Sequence, residues 1–168
     1  MVSFGNKQIT SLTRLNQGQK TTHQYPLEEH MVNQFCSILV SGATGWGKLE
    51  ITREFDYSGG RTDIIAVNDN DHVIAFEVKR FDWHKALLQA YKNTSFAHCS
   101  YVVLPEVIAR RAQLRIGEFK RRSVGICYLQ GSNIHVIHLA ICQKPIQPWL
   151  SRAAVLQTRE KDGGTVEE

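Results

Sequence analysis

Asp63, Glu77 and Lys79 are the residues whose types and spacing could do chemistry together. They lie on two apolar stretches joined by Asp69-Asn70-Asp71, a run of turn formers. With Asn70 at the centre of a hairpin, facing residue numbers sum to 140, which sets Asp63 opposite Glu77. Directly opposed residues on one sheet face have Cβ atoms about 4.5–5.5 Å apart. Two carboxylates at that separation repel unless something positive sits between them, and a divalent cation meets that need. Lys79, two residues past Glu77, points to the same face. Two acids and a lysine on one face form a site that can hold a hard cation and direct attack on a phosphate.

The competing reading is solvated surface, where Asp, Glu and Lys at strand ends are common. The stretch leading to Glu77 argues against it. Val73 and Ala75 stand on the Glu77 side, and Ile74, Phe76 and Val78 on the other. A strand apolar on both faces is usually interior to its sheet and covered on both sides. Glu77 therefore continues a core stripe, and a glutamate there needs a partner or a task.

These residues must be held by a mixed α/β framework. A helix is expected from Pro26, with Leu27, Met31, Phe35 and Ile38/Leu39 at helical spacing. A glycine-rich break, Ser41 to Lys48, precedes a strand from Leu49 to Tyr57. Thr62 to Val67 and Val73 to Lys79 form the hairpin. Asp82 can cap a helix running to about Phe96, with Trp83, Leu87, Ala90 and Thr94 along one stripe. A strand from Ser100 to Leu104, a helical segment from Glu106 to Arg122, and strands Val124–Leu129 and Ile134–Leu139 follow. The order α-βββ-α-β-α-ββ suits a mixed central β-sheet flanked by helices.

The 168 residues fit one domain, expected over 25–142, between a flexible arm, 1–24, and a polar tail, 143–168. Hydrophobic content of 42%, charged content of 21% and a net charge of +4 are those of an ordinary soluble protein, mildly basic and compatible with nucleic acid. No stretch approaches the ~20 apolar residues of a membrane span, and the polar N-terminus has no signal-peptide core. Cys36, Cys99, Cys127 and Cys142 are widely spaced without a Cys-x-x-Cys, so buried free thiols in a reducing cytoplasm are expected.

Gly60-Arg61-Thr62-Asp63 followed by Glu77-Val78-Lys79 resembles the metal-and-lysine core of the PD-(D/E)XK nuclease superfamily, the restriction-endonuclease-like fold. The family core, α-βββ-α-β, corresponds to Leu27 through Leu104, with an α-ββ extension after it. The resemblance implies that Asp63, Glu77 and the Val78 carbonyl hold Mg²⁺ or Mn²⁺, and that Lys79 acts in catalysis. It implies an acid on the first helix, for which Glu28 is favoured over Glu29; either could instead be a solvated acid suited to the helix dipole. It also places Gln89 in a catalytic position on the helix after the lysine, with Lys85 on the same face. The family's fuller Gln-x-x-x-Tyr form is absent, because position 93 is Asn, and an exposed Gln89 without a role is the alternative.

Gly42-Ala43-Thr44-Gly45-Trp46-Gly47-Lys48 imitates most of a phosphate-binding P-loop, but Leu49 stands where magnesium requires Ser or Thr. Arg110, Arg111, Arg115, Lys120, Arg121 and Arg122 form a basic cluster, readable as a solvated helix face or, together with Lys85, as phosphate contacts. The expected function is that of a cytoplasmic, metal-dependent nuclease acting on DNA, with homodimerisation open and no membrane partner. The alternatives are a nuclease-fold module that binds nucleic acid without cutting it and, more remotely, a P-loop NTPase.

Overall fold

The computed structural model describes residues 27–162. The expected arm, 1–24, and the helix start at Pro26 lie outside the described residues. The elements run α1 (Glu28–Val40), β1 (Glu50–Tyr57), β2 (Gly60–Val67), β3 (Val73–Val78), α2 (Trp83–Asn93), β4 (Cys99–Pro105), α3 (Glu106–Gln113), α4 (Ile116–Arg121), β5 (Val124–Gln130), β6 (Asn133–His138) and α5 (Pro148–Asp162). The six strands form one mixed sheet in sequence order. β1, β2 and β3 are antiparallel neighbours, β3–β4 and β4–β5 are parallel, and β6 returns antiparallel to β5. The parallel pairs require crossovers, which α2 and the α3–α4 segment supply.

The central strands explain the layering. Every residue of β3 is buried, as is all of β4 except Pro105, so both faces need cover. On one face α1 inserts Met31, Phe35 and Leu39 against Ile64, Phe76, Val78 and Tyr101. On the other, Ala86, Leu87 and Ala90 of α2 and Ile108 and Ala112 of α3 cover Val102, Leu104 and Ile126. The Asp82 carboxylate accepts from the Lys85 N–H at 3.0 Å and caps α2, which ends at Asn93 rather than near Phe96.

Three features depart from the sequence reading. The helix expected over 106–122 breaks at Leu114–Arg115 into α3 and α4. The polar tail expected from Gln143 contains a 15-residue helix, α5. Its Ala154 and Val155 pack on Phe55, Ile65, Val67, Val73 and Ala75, on the half of the sheet that α2 leaves bare. Cys99 and Cys142, expected as free thiols, form a disulfide, because the Gln143 N–H bonds the His98 carbonyl and lays the linker before α5 beside the start of β4. Cys36 and Cys127 are buried free thiols, as expected. Among the described residues no helix is long and apolar enough to cross a membrane.

Candidate active site

The β2–β3 hairpin has the register expected of it. Ile64 pairs with Phe76, Ile65 with Ala75, Ala66 with Ile74 and Val67 with Val73. The turn is closed by the Asn68 side chain, which accepts from the N–H groups of Asn70 and His72, while Asp71 takes a left-handed φ of 61°. Beyond the Ile64–Phe76 pair come the two acids, Asp63 within β2 and Glu77 one residue before the end of β3. The Asp63 carboxylate accepts from the Val78 N–H at 2.8 Å.

Glu77 is fully buried, 0% exposed. Its Oε1 accepts from Asn93 Nδ2 at 2.7 Å. The Asn93 amide is itself oriented, since its Oδ1 accepts from Thr62 Oγ1 at 2.8 Å and from the Tyr57 hydroxyl at 2.9 Å. Glu77 Oε2 is buried and has no hydrogen-bond partner. Such a group is costly in a low-dielectric interior. Burial first, and then the neighbouring Asp63 charge, push the Glu77 carboxyl up to about 8; Asn93 works in the opposite direction. Two arrangements satisfy Oε2: a proton shared toward Asp63, or a cation held between the two carboxyl groups.

Lys79 Nζ donates to Glu28 Oε1 at 2.7 Å and to the Val78 carbonyl at 3.0 Å, and lies 3.9 Å from Asp63 Oδ2. Burial opposes its charge, but the Glu28 carboxylate, followed by Asp63 and Glu77, outweighs burial and holds the ammonium above the ordinary lysine pKa. Of the two candidate acids on α1, Glu28 makes this contact, whereas Glu29 and Glu28 together line a cleft of about 330 Å³ with Arg53, Glu54 and Asp63. Glu54 adopts a left-handed φ of 57° on the strand beside Asp63.

Asp63, Glu77, Lys79 and Glu28 are therefore brought together, with the Val78 carbonyl beside Lys79. Gln89 sits one turn before Asn93 on α2, half-buried, with Oε1 buried and unpartnered. Asn93 is the residue that sequence reasoning missed, along with its supports Tyr57 and Thr62. Its spacing of four from Gln89 was visible, but its meeting with Glu77 depends on how α2 docks. Among the described residues no three or more His, Cys, Asp or Glu side chains converge as a metal cluster. Two carboxylates, one of them with an orphaned oxygen, nonetheless fit magnesium, which uses one or two carboxylates and keeps several waters.

The basic cluster is partly neutralised. Glu118 pairs with Arg121 at 2.6 Å and with Arg122 at 2.8 Å. Arg110 lies 3.7 Å from Glu106 and donates to the Tyr128 hydroxyl at 3.0 Å. Lys85, Arg111, Arg115 and Lys120 are exposed, with no ion pair within the described residues. The glycine-rich loop before β1 leads into a strand, so the helix N-terminus that a P-loop needs is missing there.

No family model matches this chain, and no curated protein matches it either. Among solved structures, a protein of unknown function from Silicibacter pomeroyi is similar, with a TM-score of 0.60 at 11% identity, over 79% of this chain and 84% of that one. At that identity the likeness bears on the fold alone, a mixed sheet flanked by helices.

Proposed function

We propose that this protein is a metal-dependent nuclease that hydrolyses phosphodiester bonds, with DNA as substrate. The observation that carries the reading is the buried Glu77 Oε2, left without a hydrogen bond beside Asp63 and within the field of Lys79. Asp63 and Glu77, with the Val78 carbonyl, would hold Mg²⁺ or Mn²⁺. When bound, such a cation lowers the pKa of a coordinated water and offsets phosphate charge. To hold a cation Glu77 would have to give up its proton, so affinity would rise with pH. Lys79 remains protonated between Glu28 and Asp63, which makes it a poor base. Its role is to orient the attacking water and neutralise charge growing on the phosphate in the transition state. Asn93 holds Glu77 Oε1, which leaves Oε2 free for the cation.

The test is incubation with plasmid, linear duplex and branched DNA in Mg²⁺, Mn²⁺ or EDTA. Cleavage is expected only with metal. Lys79→Ala should slow it about 10²–10³-fold, the range typical of losing a group that stabilises transition-state charge. Equal rates for Lys79→Ala and the parent would remove the catalytic assignment. The second reading, a module that binds nucleic acid without cutting it, is favoured by the lack, among the described residues, of three or more side chains placed to ligate one metal ion. Retained binding without cleavage in either metal would select it.

A further inference from the structure

The chain leaving Lys79 builds a second cleft that the phosphodiester chemistry does not use. Phe81, Asp82, Trp83, His84, Ile108 and Arg111 line a space of about 390 Å³. Phe81 is 58% exposed, with the Arg80 guanidinium 4.6 Å from its ring centre. The Trp83 and His84 rings stack with centroids 3.5 Å apart, and Trp83 is anchored beneath by Phe119 at 5.6 Å. Arg111 enters from α3, exposed and with no ion pair within the described residues. Asp82 supplies the cleft's carboxylate, one of whose oxygens is engaged by the α2 cap. Phe81 is two residues from Lys79, so their Cα atoms lie within about 7 Å.

The exposed rings of Phe81 and His84, beside cations with no ion pair within the described residues, do not match a regular duplex, which presents phosphates and groove edges and keeps its base faces stacked inside. They match a nucleotide whose base is free to stack while its phosphate meets a guanidinium. We propose that the cleft of Phe81, Trp83, His84 and Arg111 binds an unpaired nucleotide next to the scissile position, so that the substrate is nucleic acid with a single-stranded segment. The inference rests on reading Asp63, Glu77 and Lys79 as a phosphodiester site, because it names the form of substrate that site receives.

Fluorescence anisotropy in EDTA, with a labelled 20-nucleotide oligo-dT strand and a 20-base-pair duplex at equal salt, separates the two questions. The single strand should bind about tenfold more tightly than the duplex. Phe81→Ala should weaken single-strand binding about tenfold, near the lower end of the contribution of one base–aromatic stack, and change duplex binding less than about twofold. Phe81→Trp should restore the affinity and Phe81→Leu should not, since stacking needs a ring rather than apolar area. Phe81 is exposed, so these variants should keep the parent melting temperature. Equal losses for strand and duplex, or a strand bound no more tightly than the duplex, would overturn the inference. Because binding is read without metal, absence of cleavage would count against the nuclease reading and leave this result standing.

Discussion

Glu77 is the residue at which packing and chemistry conflict. Its carboxyl is lifted from 4.5 to about 8 by burial and by Asp63. A group whose folded pKa exceeds its unfolded value stabilises fully below the unfolded value, and the contribution is lost as pH rises through the folded one. In EDTA the protein should therefore lose stability between about pH 4.5 and pH 8 through this group, by roughly a few kcal/mol. Burial and the neighbouring His72 also hold the His98 imidazole below its usual pKa, so pH acts on other groups as well. The measurement is thus the difference between the parent and Glu77→Gln in thermal melts at pH 5.5 and 9. Glu77→Gln should gain on the parent as pH rises, and Mg²⁺ should narrow the gap for the parent. Parallel pH profiles would mean that Glu77 is not protonated in the folded apo protein. Lys79 belongs to the same balance. It joins α1 to β3 through Glu28 and is the cation among three carboxylates, so its removal affects folding as well as rate.

At the scale of elements, α5 carries the clearest departure from the sequence reading. Ser151, Ala154, Val155 and Thr158 are buried at spacings of three, four and seven, a helical stripe made of small and hydroxyl side chains. Thr158 bonds the Ala154 carbonyl at 2.8 Å, so its hydroxyl is satisfied within the helix. The periodicity is present in the sequence, but the fully buried positions are small or hydroxyl-bearing while Trp149 and Leu156 face outward, so the segment does not show an apolar stripe. Ala154→Asp should cost about 3 kcal/mol or more, as an unpaired charge within a core does, whereas a change in a solvated tail stays within about 0.5 kcal/mol. Urea unfolding distinguishes these outcomes. In the α3–α4 segment Glu118 makes the cations unequal. Replacing Arg111 and Arg115 should flatten the salt dependence of duplex binding, each lost phosphate contact reducing the log–log slope by about 0.9. Replacing Arg121 and Arg122 should change it less. Equal effects of the two pairs would show that the ion pairs with Glu118 open on binding.

For the whole molecule, the linker between β6 and α5 decides whether the second half of one sheet face is covered. The Ile141, Gln143 and Gln147 N–H groups bond the carbonyls of Ser123, His98 and Ser95, and Cys142 is bonded to Cys99. The disulfide closes a sequence separation of 43 residues. By loop entropy it should stabilise the fold by about 4 kcal/mol. Thermal melts with and without reductant should differ for the parent and coincide for Cys142→Ser. A parent melt insensitive to reductant would mean that the hydrogen bonds of the linker suffice.

The sequence by itself determined the local symmetry of the site. Strand periodicity and a turn centred on Asn70 set the register from Val67–Val73 to Ile64–Phe76, which leads to Asp63 and Glu77, without reference to anything distant, and the apolar faces of Val73 to Val78 showed that Glu77 would be interior. A hairpin register is a short-range property, set by turn chemistry and a period of two. The Asp82 cap was legible for the same reason. What only the tertiary structure decided were meetings across long separations: Asn93 with Glu77, Glu28 with Lys79, Cys99 with Cys142, and α5 with β1 to β3. Each depends on sheet order and on the docking of a helix or linker. The period of a single element shows which face is buried, but not which distant residue that face will meet.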